Sequence, residues 1–112
     1  ILWKLFPNHP YLLESYFGTP NGIKDFVKKP LLSREGANIS MVYNDRVIFE
    51  TEGDYGTEGF IYQKLAHLHK EDTGYAIIGS WIIGQEPCGI TFRESDYPIT
   101  TDKSRFIPHV IE

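Results

Sequence analysis

The sequence predicts an α+β fold, mostly antiparallel sheet with few helices, and three observations carry that reading. Short β-prone runs follow one another with only a few turn residues between them, as hairpin connections require. Helical periodicity is confined to the beginning, where apolar residues stand at positions 1, 2, 5 and 6. A glycine-rich acidic stretch, 51–59, holds nothing from which a core can be built.

In order, residues 1–6 read as the last turns of a helix, closed by Phe6-Pro7-Asn8-His9-Pro10, since prolines disrupt a helix interior. Residues 11–17 read as a second short helix, stopped by Gly18 and the turn Thr19-Pro20-Asn21-Gly22. A first strand is expected over 23–29. Strands over 38–43 and 46–50 flank Asn44-Asp45, two residues that tolerate the positive φ of a tight hairpin. The 51–59 stretch reads as a loop and a candidate mobile lid. Residues 60–65 form a buried strand in this reading, 68–74 a polar connection and 75–83 a strongly β-prone strand. A turn over 84–87 returns the chain into a strand at 89–93, and the tail carries two short apolar pieces around Pro108.

A length of 112 residues bounds the chain to one domain with a modest core. The net charge of −4 argues against bulk nucleic-acid binding, which wants a basic face. No apolar run approaches the ~20 residues that span a bilayer, and no signal peptide is legible. Cys88 is the single cysteine, so no internal disulfide can form and a reducing cytoplasm is the expected setting. It lies between Pro87 and Gly89 in an expected turn, where a nucleophile competes with the plainer reading of a turn thiol.

The segment 26–39 carries the clearest chemistry: a strand ending in Lys28 and Lys29, a stop at Pro30, a polar turn around Gly36, and a second strand. That places a fixed cation beside a loop whose backbone amides can point at an anion. Adjacent strand residues face opposite ways, so one lysine can face a ligand cleft and the other solvent; both as solubilising charges is the alternative. Ser33 and Arg34 can add a hydroxyl and a guanidinium. The segment is neither a G-x-x-x-x-G-K-[ST] loop nor a G-x-G-x-x-G turn.

Gln63 and Lys64 interrupt an apolar run and can read an adenine edge with Leu65 against the ring; ordinary strand alternation is the competing reading. Arg93 ends a strong strand and can clamp a phosphate or carboxylate in bidentate fashion, or pair with Glu94 or Asp96. His67 and His69 would share a face in a strand and could bind one ion, but no third ligand of fitting spacing or Cys partner accompanies them. A connecting-loop pair of ordinary histidines is the plainer reading, and no metal site is assigned. Glu50, Glu52, Asp54 and Glu58 are dense enough for Mg²⁺, yet solvated charge is the usual state of such a loop.

Several long motifs in the same order give the chain a specific resemblance. They are Lys29-Pro30-Leu31 with Arg34-Glu35-Gly36-Ala37-Asn38-Ile39, then Leu5-Phe6-Pro7-Asn8-His9-Pro10-Tyr11-Leu12-Leu13. Glu52-Gly53-Asp54-Tyr55-Gly56, Ile61-Tyr62-Gln63 and Gly79-Ser80-Trp81-Ile82-Ile83-Gly84 extend them, through Arg93-Glu94 to Phe106-Ile107-Pro108-His109. Together they resemble the C-terminal part of the glutathionylspermidine synthase-like ATP-grasp ligases, the stand-alone bacterial acid–amine ligases more than the bifunctional synthetase/amidases. The resemblance implies the C-terminal portion of an ATP-grasp fold, with 1–22 a helical lead-in and 23–112 a nucleotide-binding sheet region. It implies ligation of a small acid to an amine through an acyl-phosphate, with ATP and Mg²⁺ as cofactors and the metal ligands outside this chain. By position, Lys29 matches an ATP-binding lysine, Glu35 and Gly36 a loop over the phosphates, and Gln63, Lys64, Leu65 and Ala66 the adenine-side strand and hinge. Arg93 matches a catalytic arginine near the reacting phosphate, and Pro98 to Thr100 a late ATP-contacting segment. Ile77 stands where the glutathionylspermidine enzymes have an ATP-contacting glutamine, and Ser104-Arg105 offers no acidic polyamine ligand, so spermidine is not carried over as the amine.

The chain starts at Ile1 inside what reads as a helix, so it is expected to be a fragment, the last third of such an enzyme. Alone it is expected to be catalytically inactive and to associate with an N-terminal part. The alternative is a non-catalytic folded module from a truncated gene, self-associating as a homo-oligomer through exposed edge strands.

Overall fold

A computed structural model describes residues 1–110. The chain splits into two compact units, Ile1–Ala66 and a second beginning at His67, each built on its own antiparallel sheet. As expected from the sequence, the structure is mostly antiparallel sheet, with one short helix among the described residues.

The first unit contains helix α1 (Leu2–Leu5) and strands β1 (Ser15–Phe17), β2 (Phe26–Pro30), β3 (Ser40–Tyr43), β4 (Arg46–Glu50) and β5 (Phe60–Lys64), in the sheet order β1-β5-β2-β3-β4. The second helix expected over 11–17 does not form. Ser15, Tyr16 and Phe17 instead pair with Gln63, Tyr62 and Ile61 of β5. An isolated helix this short cannot recover its nucleation cost, whereas Ser-Tyr-Phe fits a pleated edge. The β3–β4 hairpin turns as expected through Asn44 and Asp45, at φ 49° and 59°, which matches the twist of the flanking strands.

The acidic stretch 51–59 is a loop, but a fastened one. Thr51 N–H donates to the Ile39 carbonyl at 2.9 Å, Asn38 N–H to Glu52 O at 3.3 Å and Tyr55 N–H to Asn38 Oδ1 at 2.7 Å. Gly56 is demanded there: at φ +116° a Cβ would lie 2.5 Å from the Phe60 ring tip.

The second unit contains β6 (Lys70–Glu71), β7 (Gly74–Ile83), β8 (Glu86–Ser95) and β9 (Arg105–Ile107), in the order β6-β7-β8-β9. The β7–β8 turn is tighter than the expected 84–87, because Ile83 already pairs with Glu86 across Gly84-Gln85. Trp81 pairs with Gly89 and Ile82 with Pro87, which leaves Cys88 as the extra residue of a bulge inside β8 and not in a turn. Strand β6 pairs only with Gly74 and Tyr75, and β9 only with Phe92 to Glu94, so the β7–β8 ribbon projects beyond both neighbours. Trp81, Ile82 and Ile83 on that ribbon are 57%, 66% and 68% exposed.

Buried apolar residues among those described are Met41 and Leu65 in the first unit and Ile99 in the second. No described helix is long and apolar enough to cross a membrane.

Candidate functional site

Strand alternation separates the two lysines of β2. Lys28 lies across from Tyr62 and Lys29 across from Ile61, so their side chains leave opposite faces of the sheet. Val27 is paired with Gln63, which puts Lys29 diagonally beside Gln63 on one face. There the Lys29 ammonium donates to Gln63 Oε1 at 2.7 Å, and Gln63 Nε2 donates to Ser15 Oγ at 3.1 Å.

Lys29 is half-buried, and burial holds its ammonium below the ordinary lysine value. Its partner is a neutral amide, and no carboxylate lies within ion-pair distance among the described residues. An ammonium has three donors, of which Gln63 takes one, so two N–H groups remain for an anion. This is an arrangement of the kind an anionic ligand completes, because a partly desolvated charge is costly until it is paired.

The β2–β3 connection has donor capacity of its own, and its brace Thr51 lines the cleft that holds Lys28. Glu35 and Gly36 both take left-handed backbone, at φ 57° and 73°. Their amides donate no hydrogen bond to the described residues. The turn is held from outside by Ser33 Oγ donating to the Ala37 carbonyl at 2.9 Å and Thr51 Oγ1 donating to the Gly36 carbonyl at 2.6 Å. Two free amides in a braced turn are what a phosphate oxygen accepts from. The Arg34 guanidinium is exposed and faces Glu35 at 3.8 Å.

Lys28 serves the opposite face. Its ammonium sits 4.2 Å from the centre of the Phe60 ring, in a 420 Å³ polar cleft with Asn38, Ser40, Glu50, Thr51 and Glu52. No pattern in the sequence points to that cleft, because it depends on β2, β3 and the 51–60 segment meeting. Gln63 is likewise the neighbour of Lys29 rather than a free hydrogen-bonding edge, a role that needs the β2–β5 register. Lys64 is exposed beyond it, Leu65 is buried with its N–H on the Asp25 carbonyl at 2.9 Å, and Ala66 is exposed.

In the second unit Arg93 is tied to its own unit. Nη2 donates to the Thr101 carbonyl at 2.8 Å, and the guanidinium lies 5.1 Å from the Phe106 ring centre. Its Nε is buried without a partner among the described residues. Glu94 and Asp96, the acidic partners weighed for Arg93, pair with Arg105 at 2.7 and 2.8 Å. Arg105, together with the Thr73 hydroxyl, holds the Glu94 carboxyl below the usual carboxylate range. Ile99 is buried, and its carbonyl accepts from Ser95 Oγ at 3.3 Å. His69 pairs with Glu71, and no three His, Cys, Asp or Glu side chains converge as a metal site among the described residues.

A model of the family described as glutathionylspermidine synthase preATP-grasp matches residues 1–112. The chain belongs to that family. It is 43% identical over 96% of its length to a Haemophilus influenzae protein provisionally named an acid–amine ligase, covering 30% of that protein. It is 32% identical over 95% of its length to trypanothione synthetase of Crithidia fasciculata, covering 17% of it. Against the bifunctional glutathionylspermidine synthetase/amidase of Escherichia coli it is 30% identical over 99% of its length, covering 18% of that enzyme. The chain therefore spans less than a third of the length of these relatives.

Proposed function

We propose that this chain supplies phosphate-side contacts of the ATP site of an acid–amine ligase, as part of the C-terminal region of an ATP-grasp fold. The observation that carries the reading is Lys29: a half-buried ammonium on a neutral partner, with two donors unspent. The free amides of Glu35 and Gly36 support it, and so do the ligase names of the relatives. In this reading Lys29 neutralises phosphate charge, and Glu35 and Gly36 donate backbone hydrogen bonds to phosphate oxygens. Gln63 holds Lys29 in place, while Lys64, Leu65 and Ala66 form the adenine side. Arg93, described only within its own unit, is carried as the phosphate-side arginine on the family resemblance, through the donors that Thr101 leaves unspent.

ATP, when bound, supplies the phosphoryl group that activates the acid as an acyl-phosphate. Mg²⁺ belongs to the reading through ligands beyond these residues, and the acid and amine are small molecules. The setting is a reducing cytoplasm, in which the exposed Cys88 stays a free thiol. The test is calorimetric titration of ATP into the chain and into K29A. Binding that K29A removes supports the reading, and equal binding by both proteins defeats it.

A second reading, a self-associating non-catalytic module, is favoured by the projecting β7–β8 ribbon with its exposed Trp81, Ile82 and Ile83. Sedimentation across a concentration series tests it. A monomer at every concentration removes it.

A further inference from the structure

We infer that Ser15 is a positioning residue for the nucleotide lysine: it orients the Gln63 amide so that a carbonyl, and not an NH₂, faces Lys29. The inference rests on the ATP reading for its purpose, but its geometry stands apart from any ligand.

The chain of hydrogen bonds runs one way. The Leu13 carbonyl can only accept, so the Ser15 hydroxyl, 2.9 Å away, must donate to it. Its proton thus committed, Ser15 Oγ offers lone pairs to its other neighbour, and Gln63 Nε2 donates to it at 3.1 Å. An amide with NH₂ on one side presents its carbonyl on the other, and Gln63 Oε1 accepts from Lys29 Nζ at 2.7 Å. The ammonium is donor-only. A flipped amide would set NH₂ against NH₃⁺ and an amide oxygen against a serine oxygen whose proton is already used. Each member thereby enforces the next, from a backbone carbonyl to the site cation.

Ser15 reaches this place because 15–17 is a strand. Antiparallel pairing sets Ser15 directly opposite Gln63, and Gln63 diagonally beside Lys29 across β2. As a helix the same residues would have no ladder position beside β5. The part played by β1 is therefore to deliver one hydroxyl to the outer side of Gln63.

The experiment uses the whole 112-residue chain as wild type, S15A and S15T, each checked for unchanged circular dichroism. Two quantities are read: the pH dependence of Lys29 acetylation, followed at that residue by mass spectrometry, and ATP affinity by calorimetry. In S15A the amide keeps only the Lys29 ammonium to orient it and is held less firmly, so Lys29 titrates lower still and ATP affinity falls about fivefold, the scale of one hydrogen bond. S15T, which keeps a hydroxyl, restores both. A S15A profile that superimposes on wild type overturns the role of Ser15, as does S15T behaving like S15A. Wild-type chain that gives no ATP heat while S15A still shifts the Lys29 profile keeps the orienting role and overturns the ATP reading instead.

Discussion

Lys29 of the first unit and Arg93 of the second are both cations on antiparallel strands, and their surroundings differ in kind. Lys29 has one neutral partner and donors to spare. Arg93 gives Nη2 to the Thr101 carbonyl and its face to Phe106, and it buries Nε. One hydrogen bond and a neighbouring ring anchor Arg93 within its own unit and leave other donors of the guanidinium unassigned among the described residues. A cation left under-partnered in a half-buried position is available to a ligand. The difference teaches that a positive residue on a strand is read by the partners its donors already hold, not by its charge.

The largest effect that can break this contrast is K29A, which should weaken ATP binding by about 150-fold, or about 3 kcal/mol, the upper range for one charge-assisted contact. Calorimetry reads it directly. Next in size is G74A in the second unit. At φ +147° a Cβ would meet the Ser95 carbonyl oxygen at 2.6 Å, so a loss of about 2–3 kcal/mol is expected in denaturant unfolding. R93M follows, with about 1–2 kcal/mol of stability lost because the Thr101 carbonyl forfeits its donor. If R93M instead leaves stability untouched and weakens ATP binding, the anchoring role of Arg93 falls and its phosphate role stands.

A smaller effect sharpens the same comparison through pH. Burial lowers the Lys29 value in the folded chain, so between that value and the ordinary lysine range the unfolded chain binds more protons. Stability should therefore rise with pH across that window, and K29M should flatten the slope. ATP favours the charged form, so binding in the same window should take up protons, visible as a dependence of the heat on buffer ionisation.

The smallest effect belongs to the surface pairs of Arg105. Glu94 has a folded value below its ordinary one. Its contribution is thus present above the ordinary carboxylate value and lost as pH falls through the lowered one. R105A should remove this acid dependence with only a slight fall in melting temperature, since exposed ion pairs contribute little.

Much of the fold was legible because its signals are local. Asn44-Asp45 announced a hairpin through two residues that tolerate positive φ, and β5, β7 and β8 announced themselves by β-branched and aromatic runs. The segment 11–17 was misread because its local pattern satisfies a short helix, and only the waiting edge of β5 turns three of its residues into a strand. For Cys88 the flanking Pro87 and Gly89 looked like a turn, and the bulge that absorbs it exists only in the β7–β8 register.

The candidate site divides the same way. The sequence by itself determined that two cations end one strand ahead of a glycine turn, and that they must face opposite sides, since side-chain direction alternates along any strand. Only the tertiary structure decided which lysine meets Gln63, that a serine stands behind that glutamine, and that Arg93 gives one donor to the Thr101 carbonyl. Direction along a strand is a local property of the backbone, whereas partnership across strands depends on register, which distant parts of the chain set together.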